Sequence, residues 1–130
     1  MKKLLVVSLA LGSFSVLAQS LPNELGIRMN RMERICDSHI TGSSSISEAL
    51  SKTSKAYECL KDQLEILKTD APRYGQELET ILVEGIDTMT SFCQSHITPS
   101  SSFSSALSKT SKAYECLKEE LGYLKKDIGL

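Results

Sequence analysis

The chain has 130 residues, of which 15 are basic and 16 are acidic, so its formal net charge is −1. A charge so close to balance gives no basic patch or stripe of the kind that binds nucleic acid, and we exclude nucleic acid as a partner. The length is that of one ordinary domain. A domain of this size buries a modest fraction of its surface, so covalent cross-links would help to stabilise it.

The first eighteen residues have the composition of a secretory signal peptide. Two lysines precede an apolar run at residues 4–17, and the small residues that end at Ala18 favour cleavage there. An uncleaved membrane anchor is the alternative, but serines and a glycine interrupt the run, and it falls short of the roughly 20 residues that span a bilayer. We therefore predict a signal peptide at residues 1–18. The mature domain, residues 19–130, keeps 13 basic and 16 acidic residues, for a formal charge of −3. It is expected to be periplasmic or secreted and not embedded in a membrane.

One block of the sequence occurs twice. Residues 36–67 return 57 positions later as residues 93–124, with 24 of 32 positions identical. We interpret the blocks as a tandem duplication within a single helical domain, with repeats at about residues 22–68 and 72–128. The similarity of the two copies reflects either a recent duplication or a retained function, and one sequence does not separate these interpretations.

Each repeat has the apolar spacing of two helices. Apolar residues three and four positions apart form one stripe in each, which is typical of a helix that buries one face. The stripes comprise Leu25, Met29, Met32, Ile35, Cys36 and Ile40, then Ile46, Leu50, Thr53, Tyr57, Leu60, Leu64 and Leu67, and in the second repeat Leu78, Leu82, Ile86, Met89, Phe92 and Ile97, then Phe103, Leu107, Thr110, Tyr114, Leu117, Leu121 and Leu124. Strand signals are absent. The sequence thus predicts an all-α fold in which two helical hairpins form a small four-helix bundle.

Residues that start or stop helices mark the predicted boundaries. The first helix of each repeat is expected to end after His-Ile-Thr, because Gly42 can take the left-handed conformation that ends a helix and Pro99 cannot continue one. Ser45 and Glu48 have the spacing of a capping box at the start of the second helix. Pro72 can open the third helix, since its missing N–H costs nothing there.

Four cysteines in an exported chain predict two disulfides. Three connectivities are formally possible. Pairing within each repeat, Cys36 with Cys59 and Cys93 with Cys116, is the simplest, because a single ancestral unit would then have been stable by itself.

One distance stands against this pairing. If the second helix begins at Ser47, Cys59 lies about 18 Å along it, whereas Cys36 is only about 7 Å from the end of the first helix. Paired cysteines need Cα atoms within about 7 Å. Either residues 43–51 form a wide turn, which we favour, or they form a short separate helical turn, or the bridges join the two repeats.

The two serine-rich turns between the helices of each hairpin are expected at the same end of the bundle. A positively charged lysine in the first turns of a helix interacts unfavourably with the helix dipole. Its presence there indicates a role other than stabilising the helix. Helix N-termini, lysines and hydroxyls together are the ingredients of an anion site. We predict a binding face there, with a merely solvated turn as the alternative. Its residues are His39, Lys52, Lys55, His96, Lys109 and Lys112.

The sequence contains no convincing catalytic or cofactor motif. Cys36 with His39, and Cys93 with His96, share helix faces and have the chemistry of zinc ligands, but an exported chain favours disulfides over thiolate ligands. No serine or cysteine has a recognisable base and orienting acid, and no Cys-x-x-Cys-His haem motif occurs. We predict no metal, no cofactor and no enzymatic activity.

These observations predict an exported, non-enzymatic binding protein. It would present the duplicated polar turns, or the groove between the hairpins, to a protein or other macromolecular partner. Two alternatives stay open. One is a Cys/His metal-binding protein, and the other is a structural or oligomeric helical protein that associates through an apolar stripe at residues 74–81. The sequence leaves the oligomeric state open.

Overall fold

The computed structural model describes the backbone of residues 12–130 and the side chains of residues 21–130. The predicted signal peptide, residues 1–18, lies outside the described side chains and stays a prediction. In the described part of the chain there are four α-helices and no strand, so the predicted all-α bundle is confirmed. The helices are α1 (Gly12–Asp37), α2 (Ile46–Asp70), α3 (Gln76–Gln94) and α4 (Phe103–Asp127). None of them is both long and apolar enough to cross a bilayer.

The two central helices, α2 and α4, run parallel because each helix reverses the direction of the one before it. The most extensive packing joins α2 to α4, and α1 and α3 both pack against this pair. α4 begins and ends 57 positions after α2, which is the spacing of the repeated block. The predicted stripes are buried in the core along the second halves of α2 and α4. The buried leucines there are Leu60, Leu64 and Leu67 in α2 and Leu117, Leu121 and Leu124 in α4.

Both predicted disulfides are present. Cys36 bonds to Cys59 and Cys93 bonds to Cys116, each with a Cα–Cα distance of 5.5 Å. The wide turn that we favoured at residues 43–51 is wrong, because α2 is already helical from Ile46. The eight loop residues 38–45 span the gap instead, since an extended chain of that length reaches about 26 Å.

The first helix of each hairpin ends earlier than predicted. α1 stops at Asp37 and α3 stops at Gln94, before the His-Ile-Thr sequence. Gly42 does not take the predicted left-handed conformation. The glycines with positive φ in the described chain are Gly75 and Gly129. Pro99, at the equivalent position, has its φ fixed near −65°. Both loops therefore use negative φ here, and the helix ends do not depend on a glycine.

The connection between the hairpins contains a short 3₁₀ turn, Ala71–Tyr74, and α3 begins after it at Gln76. The prediction that Pro72 opens the third helix is therefore wrong. Tyr74 is buried, and its hydroxyl accepts a hydrogen bond of 2.9 Å from Arg28. Arg28 also pairs with Asp70 at 2.8 Å. The start of the stripe at residues 74–81 thus packs within the fold.

Gly75 joins this turn to α3 with φ 96° and ψ 154°, a conformation that is strained for any residue with a side chain. We expect Gly75→Ala to lower the free energy of unfolding by about 1–3 kcal/mol, although a Cβ there would meet no neighbouring atom. Gly42→Ala is the matched control, because that site is equally open but has ordinary φ. Urea denaturation measures both. Equal effects of the two substitutions would contradict the assignment.

Each disulfide closes a loop with a sequence separation of 23. Replacing both Cys93 and Cys116 by alanine should lower the free energy of unfolding by about 3 kcal/mol, because the unfolded chain regains the entropy of an open loop. The same change at Cys36 and Cys59 should have a similar effect. A loss below about 1 kcal/mol for either pair, measured by urea denaturation, would show that the bridge adds little to the stability of its hairpin.

Candidate binding surface at the tip

α2 and α4 extend well past the ends of α1 and α3. Cys36 is the second-last residue of α1, and its partner Cys59 lies 13 residues after the first residue of α2. At 1.5 Å per residue, α2 therefore continues about 20 Å beyond the bridge. The bridge between Cys93 and Cys116 gives α4 the same extension. The two helix extensions and their loops form one end of the molecule, which we call the tip: residues 38–55 and 95–112.

Two of the predicted binding lysines hold the loops of the tip in place. Lys52 Nζ donates to the carbonyl of Gly42 at 2.5 Å, and Lys109 Nζ donates to the carbonyl of Pro99 at 2.7 Å. Lys52 also forms an ion pair with Glu48 at 3.4 Å. These contacts fasten each extended loop to the helix that follows it. Both lysines therefore have a structural role in addition to the charge that they bring.

Serine caps define the helix starts in the tip. The side chain of Ser45 accepts from the amide of Glu48 at 3.1 Å, which is one half of the predicted capping box, and Ser102 accepts from the amide of Ser105 at 3.2 Å. The reciprocal bond of the box is displaced by one residue, from Ser45 to Ser44. The Glu48 carboxylate accepts from the amide of Ser44 at 2.8 Å, and this hydrogen bond lowers the pKa of Glu48. Some of the helix amides that an anion would use are thus already bonded.

The remaining predicted site residues fall into different environments. His39 and Lys55 are exposed, whereas His96 is half-buried beside Phe92, with ring centroids 6.1 Å apart. His96 and Lys112 line the same open groove at the base of the tip. The charged residues that share its lining are Glu33, Glu115, Lys118 and Glu119. The structure therefore brings two of the six residues together and places their counterparts in the first hairpin on open surface.

Apolar side chains at the tip and its base are exposed where the stripe pattern predicted burial. They form three pairs 57 positions apart: Ile35 with Phe92, Ile40 with Ile97, and Ile46 with Phe103. Ile46 and Phe103 are exposed because α1 and α3 end too soon to cover the start of α2 and α4, and for the same reason Ile40 and Ile97 lie in loops. Ile35 and Phe92 lie on exposed faces of α1 and α3. The sequence did contain a signal for this exposure. If Cys36 near the end of the first helix pairs with Cys59 far along the second, the beginning of α2 has no partner helix.

Within the tip, the most exposed large apolar side chains lie at its far end. Phe103 is 63% exposed and Ile46 is 50% exposed, each as the first residue of its helix. Phe103, Leu50 and Ala106 line a shallow hollow together with the serines of residues 100–102. This shared hollow shows that α2 and α4 remain in contact at their beginnings. The two apolar residues thus lie at the same end of the molecule.

Charge is separated between the tip and the rest of the molecule. The tip contains four lysines and one glutamate, so its formal charge is +3. The other residues with described side chains include nine basic and fifteen acidic groups, for a formal charge of −6. Within the described chain, neither Lys55 nor Lys112 forms an ion pair. The small net charge of the whole protein therefore conceals a basic tip on an acidic body.

A partly buried hydrogen bond joins the two hairpins at the base of the tip. Tyr114 donates to the carboxylate of Asp37 at 2.5 Å, and Lys118 approaches the same oxygen at 3.3 Å. Burial, and then the hydrogen bond to Asp37, raise the pKa of Tyr114 well above its usual value. The first hairpin lacks this arrangement, because Gln94 stands at the position equivalent to Asp37, and the hydroxyl of Tyr57 is buried without a partner in the described structure.

All four cysteines are in disulfides, so this oxidised protein offers no thiolate to a metal ion. Among the residues described, no three His, Cys, Asp or Glu side chains are grouped closely enough to hold one. No protein-family model, curated protein or solved structure matches the chain. The properties of the tip are therefore the basis on which a function can be proposed.

The two tyrosines provide an internal comparison. Tyr114→Phe should lower the free energy of unfolding by about 1.5–3 kcal/mol, because it removes a hydrogen bond to a charged group. Tyr57→Phe should be neutral or stabilising, because it removes a buried hydroxyl that has no partner. Urea denaturation at pH 7 measures both. Equal losses would show that the bond to Asp37 is not the cause.

The raised pKa of Tyr114 also predicts a pH dependence. The folded protein holds this proton more tightly than the unfolded chain, so the contribution is fully present below about pH 10, the ordinary tyrosine pKa, and is lost as the pH rises above it. The stability difference between the native protein and Tyr114→Phe should therefore shrink in alkaline solution. A difference that grew with pH would give the opposite sign.

Proposed function

We propose that this chain is an exported, non-enzymatic binding protein whose tip contacts a macromolecular partner. The observation that carries the proposal is the exposure of Ile46 and Phe103 at the far end of the basic tip. Large apolar side chains are enriched at interaction surfaces, and rigid aromatic side chains serve well as anchors. Here they occur as a pair, one at the start of each central helix, so a partner can meet both at once.

Export is consistent with the covalent structure. Two disulfides indicate an oxidising environment, and they are rare in reducing compartments. They also fasten the base of the tip covalently, at the edge of the hydrophobic core. The predicted signal peptide at residues 1–18 and the choice between a periplasm and the exterior remain part of the proposal.

The six predicted binding residues have two roles in this function. Lys52 and Lys109 fix the loops, so the surface is formed before the partner arrives and little conformational entropy is lost on binding. Lys55 and Lys112 supply cationic groups that form no ion pair within the described chain. His39 and His96 lie at the lower edge of the tip, where they would contact a partner that covers the whole surface.

The two alternatives have less support. A Cys/His metal-binding protein would need reduced cysteines, whereas all four are paired. A structural protein that associates through residues 74–81 would need an exposed stripe, whereas Tyr74 is buried against Arg28. The binding function requires no change in the covalent or folded structure.

A photo-crosslinking amino acid at position 103 tests the proposal, with the same group at Tyr123 as the matched control because Tyr123 is 51% exposed on the body. Added to material from the compartment where the protein resides, position 103 should give a specific adduct and Tyr123 should give none. Reversing the charge of Lys55 and Lys112 should reduce the adduct. Equal labelling from both positions, or none from position 103, would contradict binding through the tip.

A further inference from the structure

We infer that the partner of the tip is an anionic lipid surface, on which the protein docks end-on. This inference rests on the proposed function and names the class of partner. It is carried by the order of chemical groups along the tip, by the separation of charge along the molecule, and by the exposure of Ile46 and Phe103 at the end of the tip.

The groups of the tip occur in layers that match those of a membrane interface. Ile46 and Phe103 are the first residues of their helices. Lys52 and Lys109 follow six residues later, about 9 Å along the helix axis, and Lys55 and Lys112 follow at about 14 Å. Interfacial proteins bury apolar side chains roughly 5–10 Å into the boundary between headgroups and acyl chains. At that depth the lysines would lie at the level of the phosphates.

The charge distribution would orient the whole molecule on such a surface. The +3 tip is attracted to an anionic leaflet, and the −6 body is repelled by it. Attraction and repulsion therefore act along the same axis and favour an end-on approach. Because these charges are exposed to solvent, added salt should weaken the association strongly.

The position of the apolar residues favours a lipid surface over an acidic protein. Ile46 and Phe103 stand at the starts of their helices, at one end of the molecule, and the hollow beside Phe103 is small and open, lined by Leu50, Ala106 and the serines of residues 100–102. A lipid surface adapts to such an end and requires no matching pocket. The loops beside Ile46 and Phe103 contain serines at residues 43–45 and 100–102, which are small polar residues compatible with the headgroup layer. Both loops are already fixed by lysine contacts, so no segment has to order on docking.

Vesicle flotation tests the inference with the purified protein, both disulfides formed. We expect it to bind vesicles of phosphatidylcholine with about 30% phosphatidylglycerol at low salt, to bind pure phosphatidylcholine at least tenfold more weakly, and to be released by about 0.5 M salt. Failure to bind the anionic vesicles at low salt, or equal binding to both compositions, would overturn the inference.

Matched variants locate the contact. Ile46→Ser with Phe103→Ser should reduce binding at least tenfold, whereas Ile66→Ser with Tyr123→Ser should leave it unchanged, because Ile66 and Tyr123 are 50% and 51% exposed on the body.

Similarly, Lys55→Glu with Lys112→Glu should reduce binding at least tenfold, since each lysine near the surface contributes a few-fold. Its control is the reversal of Arg31 and Lys126, which are exposed on the body. Equal losses from tip and body variants would overturn the inference.

A fluorescence measurement reports insertion directly, because the chain contains no tryptophan. Phe103→Trp should shift its emission to shorter wavelength on anionic vesicles and be quenched by brominated lipid, while Tyr123→Trp should show neither effect. An unchanged spectrum at position 103 would exclude insertion and overturn the inference. Absence of vesicle binding together with a tip-dependent crosslink to an acidic protein would also overturn it, yet would leave the proposed binding function intact.

Discussion

In each hairpin, a disulfide joins the end of the first helix to the middle of the second, and the rest of this structure depends on that constraint. Cys36 is joined to Cys59, and Cys93 to Cys116, with Cα atoms 5.5 Å apart. This fixes the register of each hairpin so that about 20 Å of the second helix has no partner from the first. The long loops, the lysine contacts to loop carbonyls and the exposed apolar residues all follow from that offset.

The tip is held by polar contacts where a larger protein would use a hydrophobic core. Serine caps satisfy amides at the starts of α2 and α4, and Lys52 and Lys109 bind the loop backbone. Individual contacts of this kind contribute about 1 kcal/mol each, less than a bridge that closes a loop of this length. Because these polar groups hold the tip together, its apolar side chains are free to face outward. A surface that binds through exposed apolar groups needs such a support.

Some of the differences between the two hairpins lie where they support the tip. Asp37 accepts a hydrogen bond from Tyr114 across the hairpins, and Gln94 at the equivalent position leaves Tyr57 without a partner in the described structure. Glu48 is replaced by Ser105, which removes the one acid that the second half of the tip would otherwise contain. The lysines and the exposed apolar positions, in contrast, occur in both hairpins. The tip therefore has the same binding groups on both hairpins, whereas the contacts at its base differ between the hairpins.

The sequence by itself determined the helical class, the pairing of two hairpins, the presence of two disulfides and the caps at Ser45 and the equivalent Ser102, because three-four apolar spacing, cysteine content and serine caps can be interpreted within a short stretch of chain. The structure decided between the possible disulfide connectivities. Only the tertiary structure decided which apolar residues are buried. The periodicity of Ile46 and Phe103 marks a helix face, but burial requires a neighbouring helix to cover that face. α1 and α3 end below it, and the separation of charge between tip and body likewise arises only when distant segments meet. Local pattern fixes local structure, whereas exposure and electric field depend on how far each helix reaches beside its neighbours.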